Sequence, residues 1–339
     1  MTFSSARLEL AVVGAGIAGL ACAGALQQAG HRVQLFEKSR GPGGRMSTRR
    51  DEAAGWQCDH GAQYLTARDP DFRAELQRWL AADAAALWTP RLSVIGEADR
   101  HRREAGLERF VGLPRMTAPA RLLAAELALS TGCTITALQR EPGGWRLHSA
   151  EKGLLAPRFD AVLLALPAPQ AGALLRTAAE EELAALAQLT DSVRMRGCWA
   201  LMLRYPAALA LPFDAAFVNS GPLRWVARDS SKPGRRIGSE GGSETWLLHA
   251  EAEWSEARLA WPADAVAAEL LRAFAALGAP APVTWTAHRW RYADTQAALS
   301  LGSVWRAETG LGLCGDWLNG GKVEGAWLSG RALARQLAG

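Results

Sequence analysis

The run LELAVV, from Leu8 to Val13, is apolar at every position but one, and it stops at Gly14. A short continuous apolar run of this kind predicts a strand covered on both faces. From Ile17 to about Ala29 small residues predominate over a stretch of helical length, and a second apolar run over 33–36 closes on Glu37. The pattern predicts strand, glycine turn, helix and strand, the opening unit of a parallel sheet. Further along, DFRAELQRWLAADAAAL reads as helix and gives way to polar, arginine-rich chain up to Phe110. VGLPRMTAPARLLAAELALSTG, from Val111, predicts a loop and then a helix entered at Thr117-Ala118-Pro119, where proline suits a first turn. Two strands are expected over 134–138 and 144–148, joined at Pro142-Gly143, and FDAVLLALPAPQ, over 159–170, is expected to be a buried strand stopped by two prolines.

The pattern then changes. Strand-like runs fall at 198–203, 216–219, 223–227 and 245–250, with a polar loop over 229–243 and a helix over 264–277. This middle region predicts a mostly antiparallel sheet with helices. The last part, GLGLCGDWLNGGKVEGAWLSGRALARQL, predicts a strand over 312–314 running into Gly315-Asp316, then a loop and a final helix starting near Val323. The expected architecture is α/β: a Rossmann-like domain over 1–68, 111–170 and 297–339, with an inserted α+β substrate domain over 69–110 and 171–296 containing the antiparallel sheet.

The first turn carries recognisable chemistry. In Gly14-Ala15-Gly16-Ile17-Ala18-Gly19 the first glycine permits the turn, the second lets backbone N–H groups approach a pyrophosphate, and the third allows close helix–strand packing. The helix N-terminus adds a partial positive charge facing the phosphates. Glu37 lies 18 residues beyond Gly19, where an acid accepts hydrogen bonds from a ribose. A secretory signal is the rival reading, since Leu10 to Leu26 is uncharged and ACA resembles a cleavage site. Glu9, the scarcity of N-terminal positive charge and the spaced glycines argue against it. The run is also too short and too rich in glycine for a membrane span.

Composition narrows the class further. The 339 residues can bury a large core, and a net charge of +4, from 38 basic and 34 acidic residues, gives no case for nucleic acid. The five cysteines, Cys22, Cys58, Cys133, Cys198 and Cys314, are scattered without a CxxC pair, and the six histidines lack metal-ligand spacing. A reducing, cytoplasmic setting with free thiols and no metal is expected. The fourteen tryptophans supply core, with several beside polar residues in the later half as candidates for an aromatic pocket.

The return of glycine-rich chain at the C-terminus points to an extended flavin, whose pyrophosphate, ribityl chain and ring need separate anchors. Asp316, after Gly315, suits the ribityl or pyrophosphate region. The helix start at Glu324-Gly325-Ala326 suits the flavin pyrimidine, where its dipole stabilises negative charge that develops on reduction.

The blocks VVGAGIAGL, FEKSRGPGGRMSTRR, DHGAQYLTARDP, VGLPRMTAPARLL, FDAVLLALPAPQ, HRWRYA and LCGDWLNGGKVEGAWLSG span nearly the whole chain. Together they resemble the FAD-dependent amine-oxidase-like superfamily and, within it, the renalase family, particularly its bacterial members. The resemblance implies a two-dinucleotide-binding domain with non-covalent FAD, no cysteine lying in a motif for covalent attachment. It implies that Glu37, with Lys38 beside it, binds the adenosine ribose. Arg45 would approach the pyrophosphate past Gly43 and Gly44, and Gly61, Ala62 and Gln63 would pass beside the isoalloxazine with Tyr64 nearby. Residues 132–138 look shorter than the family pattern, leaving Ile135 as the candidate against the adenine.

Renalase-like proteins are expected to oxidise 2- or 6-dihydro isomers of NAD(P)H to NAD(P)+, with molecular oxygen reduced to hydrogen peroxide. A dihydropyridine gains aromaticity as it loses hydride, so positioning does most of the work and no strong base is required. His249, in WLLHAEAEW, is the first pocket candidate, followed by Tyr64, Trp225, Trp290 and Arg291. A flavin amine oxidase acting on a small amine or polyamine is the alternative. Its relatives often place a lysine near the flavin through water, and only Lys38, Lys152, Lys232 and Lys322 exist here. A flavin-binding scaffold with little turnover is a third possibility.

Overall fold

A computed structural model describes residues 7–96, 106–235 and 243–338. Part of the arginine-rich stretch before Phe110 and part of the loop expected over 229–243 lie outside the described residues.

The nucleotide-binding layer is a six-stranded sheet in the order Val304–Arg306, Leu311–Leu313, Ala161–Leu164, Glu9–Val13, Arg32–Glu37, Ala128–Thr131. It is parallel except at the Val304–Arg306 edge. Leu10, Val12, Ala161 and Leu163 belong to one hydrophobic cluster, while Ala11, Val13, Val162 and Leu164 belong to another. Apolar cover on both faces is why these strands appear in the sequence as unbroken hydrophobic runs. Helix Ile17–Gln28 crosses the final helix, Lys322–Ala338, at small residues, where a Cβ on Gly330 would lie 2.1 Å from the Ala18 carbonyl oxygen. That crossing brings the C-terminal motif back to the first glycine turn.

A second six-stranded sheet runs in the order Thr284–Thr295, Met195–Tyr205, Glu244–Ala250, Leu223–Arg228, Ala215–Val218, Leu92–Ile95. It is antiparallel but for its last pair. Leu201 and Leu203 share a core cluster with Val266, Leu270 and Phe274 of helix Ala263–Ala275. Their neighbours Ala200 and Met202 cluster instead with Cys58 and Leu247. Period-two alternation thus gives this sheet one face for its own helix and one for the other layer.

Several expected elements have different limits. The helix after Asp69 covers Pro70–Ala81 only, capped by the Asp69 carboxylate. Asp83 turns the chain at φ +51°, and Ala85–Leu87 then pairs as a strand with Phe110–Gly112, where a loop was expected. Alanine is compatible with either conformation, and tertiary pairing decides between them. The next helix is short, Ala118–Ala124, and the following Ala128–Thr131 joins the parallel sheet beside Arg32–Glu37. The buried strand expected over 159–170 covers Ala161–Leu164, and its prolines open helix Ala168–Leu175 in addition to stopping the strand. Segment 69–110 divides between the layers: Phe72 packs on Trp327 of the final helix, while Leu92–Ile95 extends the antiparallel sheet. Among the described residues no helix is long and apolar enough to cross a membrane.

Candidate active site

The turn after Glu9–Val13 separates glycines that the fold itself requires from one that it does not. Gly14 sits at φ +103°, donates its N–H to the Phe36 carbonyl at 2.8 Å, and would put a Cβ 2.5 Å from the Ala165 carbonyl oxygen. A Cβ on Gly19 would lie 2.0 Å from the Gly14 oxygen. At Gly16, by contrast, φ is −74° and nothing lies within 4 Å of an added Cβ. The absence of protein against Gly16 leaves room for a ligand at the N-terminus of helix Ile17–Gln28. The Gly43-Gly44 turn rests on the same place, with the Gly43 N–H donating to the Ala15 carbonyl at 2.9 Å and Gly44 at φ +50°.

Glu37 is buried at the rim of this cleft. Its Oε2 accepts from the Ala15 N–H at 2.9 Å and its Oε1 from the Ser39 N–H at 2.8 Å, and each oxygen retains acceptor capacity for a ribose hydroxyl. Lys38 is exposed. The half-buried Ile135 packs in the cluster containing Phe36 and Cys133, and the Cys133 N–H donates to the Glu37 carbonyl at 2.9 Å, so Ile135 sits on the Glu37 side of the site.

Arg45 and Asp316, 271 residues apart, form a bidentate ion pair, with Nη1 to Oδ2 at 3.0 Å and Nη2 to Oδ1 at 2.5 Å. Arg45 Nη1 also donates to the Ala293 carbonyl at 3.3 Å. The N- and C-terminal motifs therefore meet across the cleft. Gly325 lets the 315–321 loop close on the final helix, because a Cβ there would lie 2.0 Å from the Asn319 carbonyl oxygen. Ala326 packs against the first hydrophobic cluster. Glu324 offers this end of the cleft only its backbone: its carboxylate accepts from the Arg68 and Asp69 N–H groups at 2.6 and 2.7 Å, at the start of helix Pro70–Ala81.

DHGAQY lies against GPGGR. The Ala62 N–H donates to the Arg45 carbonyl at 2.9 Å, and a Cβ on Gly61 would come within 1.9 Å of that oxygen. The His60 carbonyl in turn accepts from Trp290 Nε1 at 2.8 Å and from His249 Nε2, taken as the protonated nitrogen, at 3.0 Å. Trp225, His249, Ala200 and His288 are in register across four adjacent strands, and the Tyr64 ring lies 5.6 Å from that of Trp225. The structure thus brings together Tyr64, Trp225, His249 and Trp290. Arg291 follows Trp290 along the strand, points to the opposite face and is exposed, so it is not with them.

His60 and His288 were missed by sequence reasoning. The His60 ring stacks on Trp290 at 5.1 Å and meets His288 edge-on at 4.7 Å. His288 lies two residues before Trp290 in HRWRYA, so strand parity was the signal that could have found it. Burial pushes His249 down to about 4 and His60 to about 3, the latter helped by its histidine neighbours, and burial lowers His288 as well. These imidazoles are neutral at physiological pH. In the unfolded chain they bind protons below about 6.5, so their contribution to stability is fully present above that value and is lost as pH falls toward 4 and 3. Urea denaturation at pH 7.5 and 5 is expected to show lower stability at pH 5, each buried imidazole adding a slope of up to about 1.4 kcal/mol per pH unit.

The Gln63 side chain turns away from the cleft. Its Nε2 donates to the Asp59 carbonyl at 2.7 Å and its Oε1 accepts from Lys232 Nζ at 3.2 Å. It braces the turn from behind, within a buried ionic cluster absent from the sequence-based site. Lys232 Nζ meets Asp229 Oδ1 at 2.8 Å and Asp59 Oδ2 at 3.2 Å, and Arg235 binds Asp59 Oδ2 through Nη2 at 2.5 Å. Thr48 Oγ1 and the Met116 N–H complete Asp59 at 2.6 and 3.2 Å. Burial works to raise the Asp59 carboxyl, but Lys232 and Arg235 hold it well below the usual range; burial and the Asp59 charge push Asp229 up.

The family description for an NAD(P)-binding Rossmann-like domain matches residues 12–79, and that for flavin containing amine oxidoreductases matches residues 67–338. The L-amino-acid oxidase of Bungarus fasciatus is 51% identical over 60 residues, which are 18% of this chain and 12% of that protein. That of Siganus canaliculatus is 44% identical over 65 residues, 19% of this chain and 12% of that protein. The matched segments therefore span about an eighth of the length of these relatives. In fold, cyclohexylamine oxidase from Brevibacterium oxydans IH-35A superposes with a TM-score of 0.70 at 13% identity, covering 98% of this chain and 99% of that one. Putrescine oxidase bound to putrescine superposes at 0.65, again with 13% identity and the same coverage.

Proposed function

The chain belongs to the flavin containing amine oxidoreductase family, and from that premise we propose that it is a renalase-like oxidase of 2- or 6-dihydro isomers of NAD(P)H. The products are NAD(P)+ and, from molecular oxygen, hydrogen peroxide. Its cofactor is FAD. Gly16, Gly44 and the start of helix Ile17–Gln28 would hold the pyrophosphate, Glu37 the ribose, and Arg45 with Asp316 the pyrophosphate and ribityl region. The bound flavin supplies a two-electron acceptor that oxygen can reoxidise.

One observation carries the reading: none of the four lysines is both buried and unpaired. Lys38, Lys152 and Lys322 are exposed, and the buried Lys232 is paired with Asp59 and Asp229. His249 is likewise neutral and tied by Nε2 to the His60 carbonyl. Tyr64, backed by the buried Trp225, and the fixed imidazole of His249 suit a planar ring that needs orientation and exclusion of water more than proton abstraction. Trp290 and His249 together fix the His60 carbonyl, and with it the Gly61-Ala62 peptide on which the ring end of the cofactor would rest.

The test is anaerobic stopped-flow absorbance near 450 nm with 2- and 6-dihydro-NAD(P), ordinary NADH and a panel of amines. Rapid bleaching by one dihydro isomer, with NADH and amines slow, is the expected result. Bleaching by an amine alone moves the assignment to an amine oxidase, and no bleaching by any donor leaves a flavin-binding scaffold.

A further inference from the structure

Two arginines converge on one carboxylate beside the proposed pocket. Arg196 Nε and Nη2 grip Asp294 Oδ1 and Oδ2, both at 3.0 Å, and Arg224 Nη1 adds a third bond to Oδ2 at 3.1 Å. We propose that Arg224 and Arg196, held on Asp294, form an anion subsite that takes a phosphate of a nucleotide-bearing substrate. The inference rests on the dihydronicotinamide reading for the identity of that substrate, and it names how the half of the molecule remote from the reacting ring is held.

Position is the first argument. Arg224 immediately precedes Trp225, at an irregularity where Leu223 and Trp225 pair with the consecutive residues Ala250 and His249. Arg196 and Asp294 are an in-register pair beyond the Cys198 and Trp290 pair. Asp294 follows Ala293, whose carbonyl binds Arg45. The cluster therefore lies between the cofactor arginine and the Trp225 and His249 pair, and the Arg224 charge is felt at His249, where it helps keep the imidazole neutral.

Charge is the second argument. Within the contact one carboxylate meets two guanidinium groups, on side chains that are partly open, at 26% for Arg196, 41% for Arg224 and 36% for Asp294, while the nearby Glu256 is taken up by the Gly197 N–H and Arg194. Asp294 is already bound bidentately by Arg196, so a second arginine gains little there and suffers like-charge repulsion. A guanidinium carries five N–H donors in a planar fork that matches phosphate, and Arg224 spends one of them on Asp294. Asp294 acts as a clamp that orients both forks without cancelling them.

The experiment uses the FAD-loaded enzyme and Arg224→Gln, which keeps the bidentate pair of Arg196 and Asp294. ADP-ribose and NAD+ are titrated by calorimetry, and kcat/KM is compared for the active dihydronicotinamide dinucleotide and its phosphate-free riboside. The expected result is ADP-ribose and NAD+ dissociation constants about tenfold higher in the variant, with less dependence on salt, and a dinucleotide-to-riboside ratio of kcat/KM that falls by a similar factor. Unchanged dissociation constants, failure of the parent to bind ADP-ribose, or equal losses for dinucleotide and riboside would each overturn the subsite. The functional reading fails separately, if no dihydronicotinamide reduces the flavin while ADP-ribose still binds through Arg224.

Discussion

Replacing Lys232 with methionine is expected to lower stability by about 3–5 kcal/mol, the usual cost of removing one partner from a buried ionic group. The side chains of Lys232 and Asp59 are fully buried and those of Asp229 and Arg235 nearly so, and the two acids and two bases balance. Without the lysine, Arg235 still serves Asp59, but Asp229 loses its 2.8 Å partner and keeps only Arg235 Nε, 4.0 Å from an Oδ2 that makes no hydrogen bond even in the parent. The double variant Asp229→Asn/Lys232→Met removes both charges and is expected to recover most of the loss. A pH dependence follows. Asp229 is already pushed up by burial and by Asp59, and the variant pushes it further. A carboxyl whose folded pKa lies above its unfolded value stabilises below the unfolded pKa, and that contribution is lost as pH rises through the folded pKa. Lys232→Met should therefore cost less at pH 5 than at pH 8. Urea melts of parent, single and double variants at both pH values check this, and equal losses in the single and double variants would remove the ionic explanation.

The first glycine turn and the ionic cluster behind the cleft differ in how far apart their parts lie along the chain, which explains why one was legible in the sequence and the other was not. Gly14, Gly16, Gly19 and Glu37 act through local geometry: a turn, a helix start and the end of the next strand. Asp59 meets Lys232 across 173 residues, and the His60 carbonyl meets Trp290 across 230. No periodicity reports such pairings. The scarcity of lysine made Lys232 conspicuous, yet only the fold shows that it is paired. Gln63 and Glu324 stand at motif positions near the cleft, but their side chains turn to Lys232 and to the helix after Asp69. Arg291 was grouped with Trp290 because HRWRYA was not taken as strand; alternation alone separates the two once Thr284–Thr295 is recognised. The alanine-rich run ending at Leu87 shows the converse limit, since neither its pattern nor its propensity distinguishes helix from strand before Phe110–Gly112 pairs with it.

Gly16→Val is expected to give a folded protein that cannot hold FAD. The backbone at Gly16 has φ −74° and ψ 176°, an extended conformation open to any residue, and no protein atom lies within 4 Å of the added Cβ. The fold therefore gives no reason for glycine there, and a cofactor approaching the helix start does. Valine fills the space that a pyrophosphate needs against the backbone N–H groups and should weaken FAD binding at least a hundredfold, while the melting temperature of the cofactor-free protein stays within a few degrees of the parent. Gly19→Ala is the contrasting control, because its Cβ would lie 2.0 Å from the Gly14 carbonyl oxygen and 3.0 Å from the Ala165 side chain. That clash is with backbone, so the loss should fall on folding itself. The ratio of absorbance at 450 nm to that at 280 nm after reconstitution, read beside thermal melts of the cofactor-free proteins, separates the two effects. A yellow, fully loaded Gly16→Val protein would mean that the pyrophosphate does not approach this turn, and the placement of the cofactor along Gly16, Gly44 and Arg45 would fall with it.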